Sequence, residues 1–130
     1  MPIARITLNK GKSPEYLEKV SQSIYSAMRE SYNLDENDKF HIFQELDANT
    51  FKFDRNFGVP QPRTDDFMII DILSDPRQAP VKLATMRALK EKLVESVGLA
   101  AQDVVVTFDA RLAAEDASLG YGEPVLKVLQ

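Results

Sequence analysis

The sequence predicts an α/β (α+β) fold in which two tandem β-α-β units form a four-stranded sheet with two helices on one face. Three observations predict it. A pattern recurs after 65 residues, each copy opens on a strand-like apolar run, and each continues into a stretch of helical period. The copies cover about residues 2–47 and 66–109, within one domain spanning 1–130. Tyr32-Asn33-Leu34 aligns with Val97-Gly98-Leu99, and Asp38 with Asp103.

In the first copy, Ala4, Ile6 and Leu8 share one face of a strand while Arg5 and Thr7 point the other way. Ser13-Pro14 supplies an N-cap and a first helical residue. Leu17, Val20, Ile24, Ala27 or Met28, and Ser31 then recur along one helix face. A strand follows over 39–44, with Phe40 and Ile42 on one side. The second copy begins with the nearly continuous apolar run 67–73, which reads as a more buried strand. Pro80 opens its helix, Leu83, Met86, Leu89, Leu93 and Val97 mark the apolar face, and Gly98 is suited to end it in the left-handed conformation. Residues 104–108 form the next strand, and 125–129 have short-strand character.

Between the copies, residues 51–62 are rich in turn formers yet carry Phe51, Phe53 and Phe57, so this segment packs on a neighbouring surface or walls a pocket. Two β-α-β units with right-handed crossovers place both helices on one side of the sheet. The other side is left bare, and a partner subunit is expected to cover it.

Composition narrows the function. The 130 residues include no cysteine, which removes disulfides, thiol nucleophiles and thiolate metal sites. Sixteen basic against 20 acidic residues give a net charge of −4, so no nucleic-acid partner is expected. No run approaches the roughly 20 apolar residues of a membrane span, and the N-terminus has no signal-peptide pattern. No membrane association and a cytoplasmic location are the expectations. Gly-rich phosphate loops and HExxH are absent, and His41 is the only histidine, so neither a cofactor nor a metal is expected.

What stands out is Met1-Pro2 leading directly into a strand. A small second residue permits removal of the initiating methionine, leaving Pro2 as a secondary amine held rigidly by that strand. Terminal amines titrate near neutrality and serve as base or acid there. Arg77 falls at the end of the buried strand beside a helix start, where a guanidinium can grip a carboxylate. Asp38 lies in the polar loop before the second strand, and its repeat mate Asp103 reads as structural. Arg63, Arg87, Arg111 and Tyr121 are weaker candidates; Phe40 reads as core or pocket lining.

The initial Met-Pro-Ile, the duplication and the length resemble the tautomerase superfamily, whose members use an N-terminal proline and share a trimer-forming fold. Within it the chain is most similar to the malonate semialdehyde decarboxylase-like group. Residues Asp35-Glu36-Asn37-Asp38-Lys39-Phe40, Ser74-Asp75-Pro76-Arg77-Gln78 and Glu115-Asp116-Ala117-Ser118-Leu119-Gly120 carry that similarity in order. The resemblance implies Pro2 as catalytic proline, Asp38 as the acidic residue near it, Arg77 as a carboxylate-binding arginine, and a homotrimer. Asp75 departs from it, standing where that group has another arginine. Ala117 and Leu119 stand where it has larger aromatic side chains.

The expected function is cofactor-free keto-enol tautomerisation of a small 2-keto or enol carboxylate, with Pro2 as general base. The alternative is hydration, dehalogenation or decarboxylation of a three-carbon acid such as malonate semialdehyde by protonated Pro2. A non-catalytic binding protein on the same fold is the third reading.

Overall fold

The computed structural model describes residues 1–111 and 114–124. Its elements run β1 (Ile3–Asn9), α1 (Pro14–Ser31), β2 (His41–Leu46), β3 (Met68–Ser74), α2 (Ala79–Val97) and β4 (Val104–Ala110). Short 3₁₀ turns occupy Ala101–Asp103 and Ala114–Asp116. The sheet order is β2-β1-β3-β4. β1 pairs parallel to β2 and β3 parallel to β4, while β1 and β3 run antiparallel at the centre. Two β-α-β units are thus joined along β1 and β3, as the repeat predicts. The strand expected at 125–129 lies outside the described residues.

Local signals explain the helix ends. The Ser13 hydroxyl accepts the Tyr16 N–H at 3.1 Å, and Pro14 occupies the first turn, where its missing N–H costs nothing. α2 stops at Gly98, whose φ of +84° suits a residue without a Cβ.

Alternate residues of β1 and β3 build the core. Ala4, Ile6, Leu8, Met68, Ile70 and Ile72 are all buried against the helices. Ile6 and Ile70 are register partners, each 0% exposed, and Ile24, Met28, Leu89 and Leu93 belong to the same cluster.

Two expectations need correction. On α2, Leu83 and Met86 are exposed, whereas Thr85 is buried with Leu89 and Leu93. The helix carries apolar residues on more than one side, and the buried line follows the i, i+4 spacing through Thr85 rather than the line through Leu83. Phe40 is exposed too, and Ile42 is 46% exposed; they share a side, but it is the side away from the helices, while Phe43 packs against the core. The bare sheet face is partly apolar and partly polar. It alternates Ile3, Ile42, Ile69, Leu73 and Val105 with Arg5, Thr7, Gln44, Asp71, Thr107 and Asp109. Thr107 donates to Asp71 at 2.6 Å, and the hydrogen bond and charge of Asp71 push the Asp109 carboxyl above its usual range.

Replacing Ile70 by Ala removes packing at the central pair. The expected loss is about 2–5 kcal/mol. Urea unfolding should show a lower midpoint with an unchanged slope.

Candidate active site

One end of the sheet gathers the chemistry. There β1 and β2 begin, and β3 and β4 finish: Ile3 lies opposite Leu73, and Ser74 opposite Ala110. Pro2 is buried just before β1, its nitrogen bonded to Met1. The next link is fixed by the Ala4 N–H, which donates to the Phe40 carbonyl at 2.9 Å.

Asp38 arrives on the loop between α1 and β2. Its N–H donates to the Asp35 carbonyl, and the neighbouring Asn37, at a φ of +67°, donates its N–H to the Tyr25 hydroxyl at 3.1 Å. The Asp38 Oδ2 lies 3.7 Å from the Met1 amino nitrogen. Its Oδ1 is buried without a hydrogen-bond partner, a costly condition that it shares with the Tyr16 hydroxyl and Arg63 Nε.

Arg111 follows β4. Its backbone N–H donates to the Ser74 carbonyl at 2.7 Å, prolonging the β3–β4 contact, and its Nη2 donates to the Met1 carbonyl at 2.6 Å. Sequence reasoning ranked Arg111 low. The signal that could have found it is strand direction: a strand parallel to β3 must end beside the start of β1.

Arg77 stands at the same end but turns elsewhere. Its Nη1 is 2.8 Å from the Asp75 Oδ2, and its guanidinium carbon lies 4.6 Å from the Tyr32 ring centroid. Burial opposes ionisation of Asp75, yet the Arg77 hydrogen bond and charge prevail, helped by the chain's terminal amine, and hold its carboxyl below the usual range. Tyr32 stacks on Phe108 with centroids 5.9 Å apart, and its hydroxyl is hydrogen-bonded to that of Ser74. A cavity of about 70 Å³ is lined here by Tyr32, Ser74, Arg77, Lys82 and Phe108. The structure therefore brings the chain start, Asp38 and Arg111 together, and pairs Arg77 with Asp75 at the same end of the sheet.

Other candidates separate from this end. Asp103 is buried and accepts from the Thr64 N–H at 2.7 Å and its hydroxyl at 2.5 Å, the structural role expected of it. Phe51 and Phe53 pack on Phe67, just before β3 and so at the opposite end of the sheet; Phe57 is 79% exposed. The segment cannot wall the site of its own chain. Arg63 lies over the Phe67 ring, Arg87 is exposed on α2, and Tyr121 is fully exposed. Among the described residues, no three His, Cys, Asp or Glu side chains assemble into a metal site, and no helix is long and apolar enough to cross a membrane.

His41 faces the helices, its Nδ1 2.7 Å from the Ser21 hydroxyl. Burial, and secondarily the charge of Lys39, lower its pKa to about 4 from 6.5.

The fold is that of an α/β enzyme, and the likeness to known proteins gives the family. Two sequence profiles, each described as tautomerase enzyme, match residues 38–118 and 2–64. The probable tautomerase YusQ of Bacillus subtilis (strain 168) is 30% identical, with 94% of this chain and 95% of YusQ covered. The probable tautomerase YrdN of the same organism is 26% identical, with 95% and 94% covered. This chain belongs to the tautomerase family of enzymes. Among solved structures, a malonate semialdehyde decarboxylase superposes with a TM-score of 0.87 at 18% identity, covering 93% of this chain and 92% of that one. The FG41 malonate semialdehyde decarboxylase inhibited by 3-bromopropiolate gives 0.84 at 24%, covering 93% and 91%. Native fused 4-OT gives 0.79 at 17%, covering 98% and 99%. At these identities the likeness establishes the shared fold.

Because folded His41 resists protonation, the unfolded chain binds more protons between pH 6.5 and about 4. Stability contributed by neutral His41 should be complete above 6.5 and decline as the pH falls through that window. The single histidine NMR resonance should stay in its neutral position until close to pH 4; a midpoint near 6.5 would contradict the burial seen here.

Proposed function

We propose that this enzyme, once Met1 is removed, acts on a three-carbon carboxylate such as malonate semialdehyde by decarboxylation or hydration, with protonated Pro2 as the acid. The observation that carries the reading is the acidic setting of the chain start. Asp38 Oδ2 is 3.7 Å from the amino nitrogen of Met1, whose charge the Asp75 carboxyl also feels, and removal of Met1 leaves the Pro2 amine at this same end. A carboxylate close to an ammonium pairs with it. The likeness to two malonate semialdehyde decarboxylases in fold supports the same direction.

In decarboxylation, the Pro2 ammonium donates a hydrogen bond to the aldehyde oxygen. The bond between the carboxylate carbon and the central carbon breaks, and its electron pair passes through the central carbon to that oxygen as an enolate. Carbon dioxide leaves, the central carbon takes a proton from the ammonium, and solvent restores it; acetaldehyde is the second product. In hydration, Asp38 Oδ1 accepts a proton from water as the water oxygen bonds to the aldehyde carbon; the C=O π pair moves to the aldehyde oxygen, which takes a proton from the Pro2 ammonium to give the gem-diol, and the Asp38 proton returns to the amine through solvent. A cation at this end holds the carboxylate, and Arg77 is the candidate from sequence.

A second reading is favoured by the relatives described as tautomerases. Neutral Pro2 would take a proton from the carbon beside a keto group and return it to the enol. Asp38 would then orient the amine. The carboxylates at the chain start weigh against it.

The bare sheet face, with Ile42 and Leu73 exposed, also supports a homotrimer. Fused 4-OT, of the same fold, is described as a trimer. Sedimentation equilibrium should return three times the chain mass, and Ile42→Asp should return the monomer.

The chemistry is tested with 3-oxopropanoate on protein shown by intact mass to lack Met1. Acetaldehyde should form, and Pro2→Ala should lower kcat by about 100-fold or more. Full activity in Pro2→Ala would overturn both readings; enolisation of a 2-keto acid without any turnover of 3-oxopropanoate would favour the second.

A further inference from the structure

We infer that Arg111, rather than Arg77, is the cation that binds the substrate carboxylate, and that Met1 occupies its place until it is removed. The inference rests on the reading of Pro2 as the functional amine.

Met1 is held like a ligand. Its side chain is only 10% exposed, its amino group faces Asp38, and its carbonyl oxygen accepts from Arg111 Nη2 at 2.6 Å. That oxygen belongs to the amide whose nitrogen is Pro2. Any acceptor taking its position on Arg111 therefore lies beside the Pro2 nitrogen. Cleaving the Met1–Pro2 bond deletes the acceptor and creates the amine in one step. The guanidinium is left facing the space Met1 filled, with the unpartnered Asp38 Oδ1 at the same end. A carboxylate oxygen replacing a neutral carbonyl on a guanidinium makes the stronger, charge-assisted hydrogen bond.

Arg77 is poorly placed for that task. It already has a carboxylate, Asp75, at 2.8 Å, and its guanidinium lies over Tyr32. A substrate anion there would have to displace an internal one and would meet Asp75 at short range. The backbone fixes Arg111 where it is useful, since its N–H bond to Ser74 ties the residue to the end of β3.

The test uses malonate, an unreactive dicarboxylate, titrated calorimetrically into protein lacking Met1. Malonate should bind, and Arg111→Ala should weaken it about tenfold or more. Arg111→Lys should recover part of the loss, and thermal melting checks that each variant is folded. A chain bearing one extra glycine before Pro2 restores a carbonyl at the Met1 position and should not bind. Pro2→Ala, still processed to a free amine, should keep binding while turnover is lost, so malonate reports on Arg111 whether or not the proposed reaction is correct. No malonate binding by the processed protein, equal binding by Arg111→Ala, or loss of binding in Arg77→Ala alone would each overturn the assignment.

Discussion

The antiparallel pairing of β1 with β3 is the constraint on which the rest of the molecule depends. Each β-α-β half by itself would leave an apolar strand edge and half a core. Joined through Ile6 and Ile70, the halves share one cluster reaching from Ile24 to Leu93. The same pairing fixes which ends meet. Because β1 and β3 run opposite ways, the beginning of the first half meets the finish of the second, and the residues after β3 and β4 come to the chain start.

That geometry gives the site an acid-rich character unusual for one expected to receive an anion. Asp38 and Asp75 both sit near the terminal amine, while Arg77 is neutralised within its own loop. On the proposed reading, the local balance of charge, rather than the presence of any one residue, would decide whether Pro2 gives or takes a proton. Asp75 engages the arginine, and the arginine and the terminal amine together keep its carboxyl below the usual range.

Much of the architecture was legible in the sequence because it is written in period and repetition. The face of β1, the Ser13-Pro14 helix start and the Gly98 stop are local signals, and the structure carries each of them. The inner line of α2 was misread because Leu83 and Met86 are as hydrophobic as the residues that pack, and Thr85 as polar as those that do not. At the site, Asp38 meets the chain start as a sequence-level candidate. The engagement of Arg77 by Asp75 and the approach of Arg111 to Met1 depend on side-chain direction and on contacts spanning the chain, for which periodicity holds no record.

The separation between the two ends of the sheet has its own consequence. A strand of seven residues spans about 23 Å, whereas at physiological ionic strength the field of an exposed charge fades over about 8 Å. The ion pairs Lys12–Asp66 and Arg55–Asp65, beside the phenylalanine cluster, are therefore electrically remote from Pro2 and Asp38. Charge at that end can be altered with little change in the field at Pro2 and Asp38, so the two ends of the sheet are electrically separate.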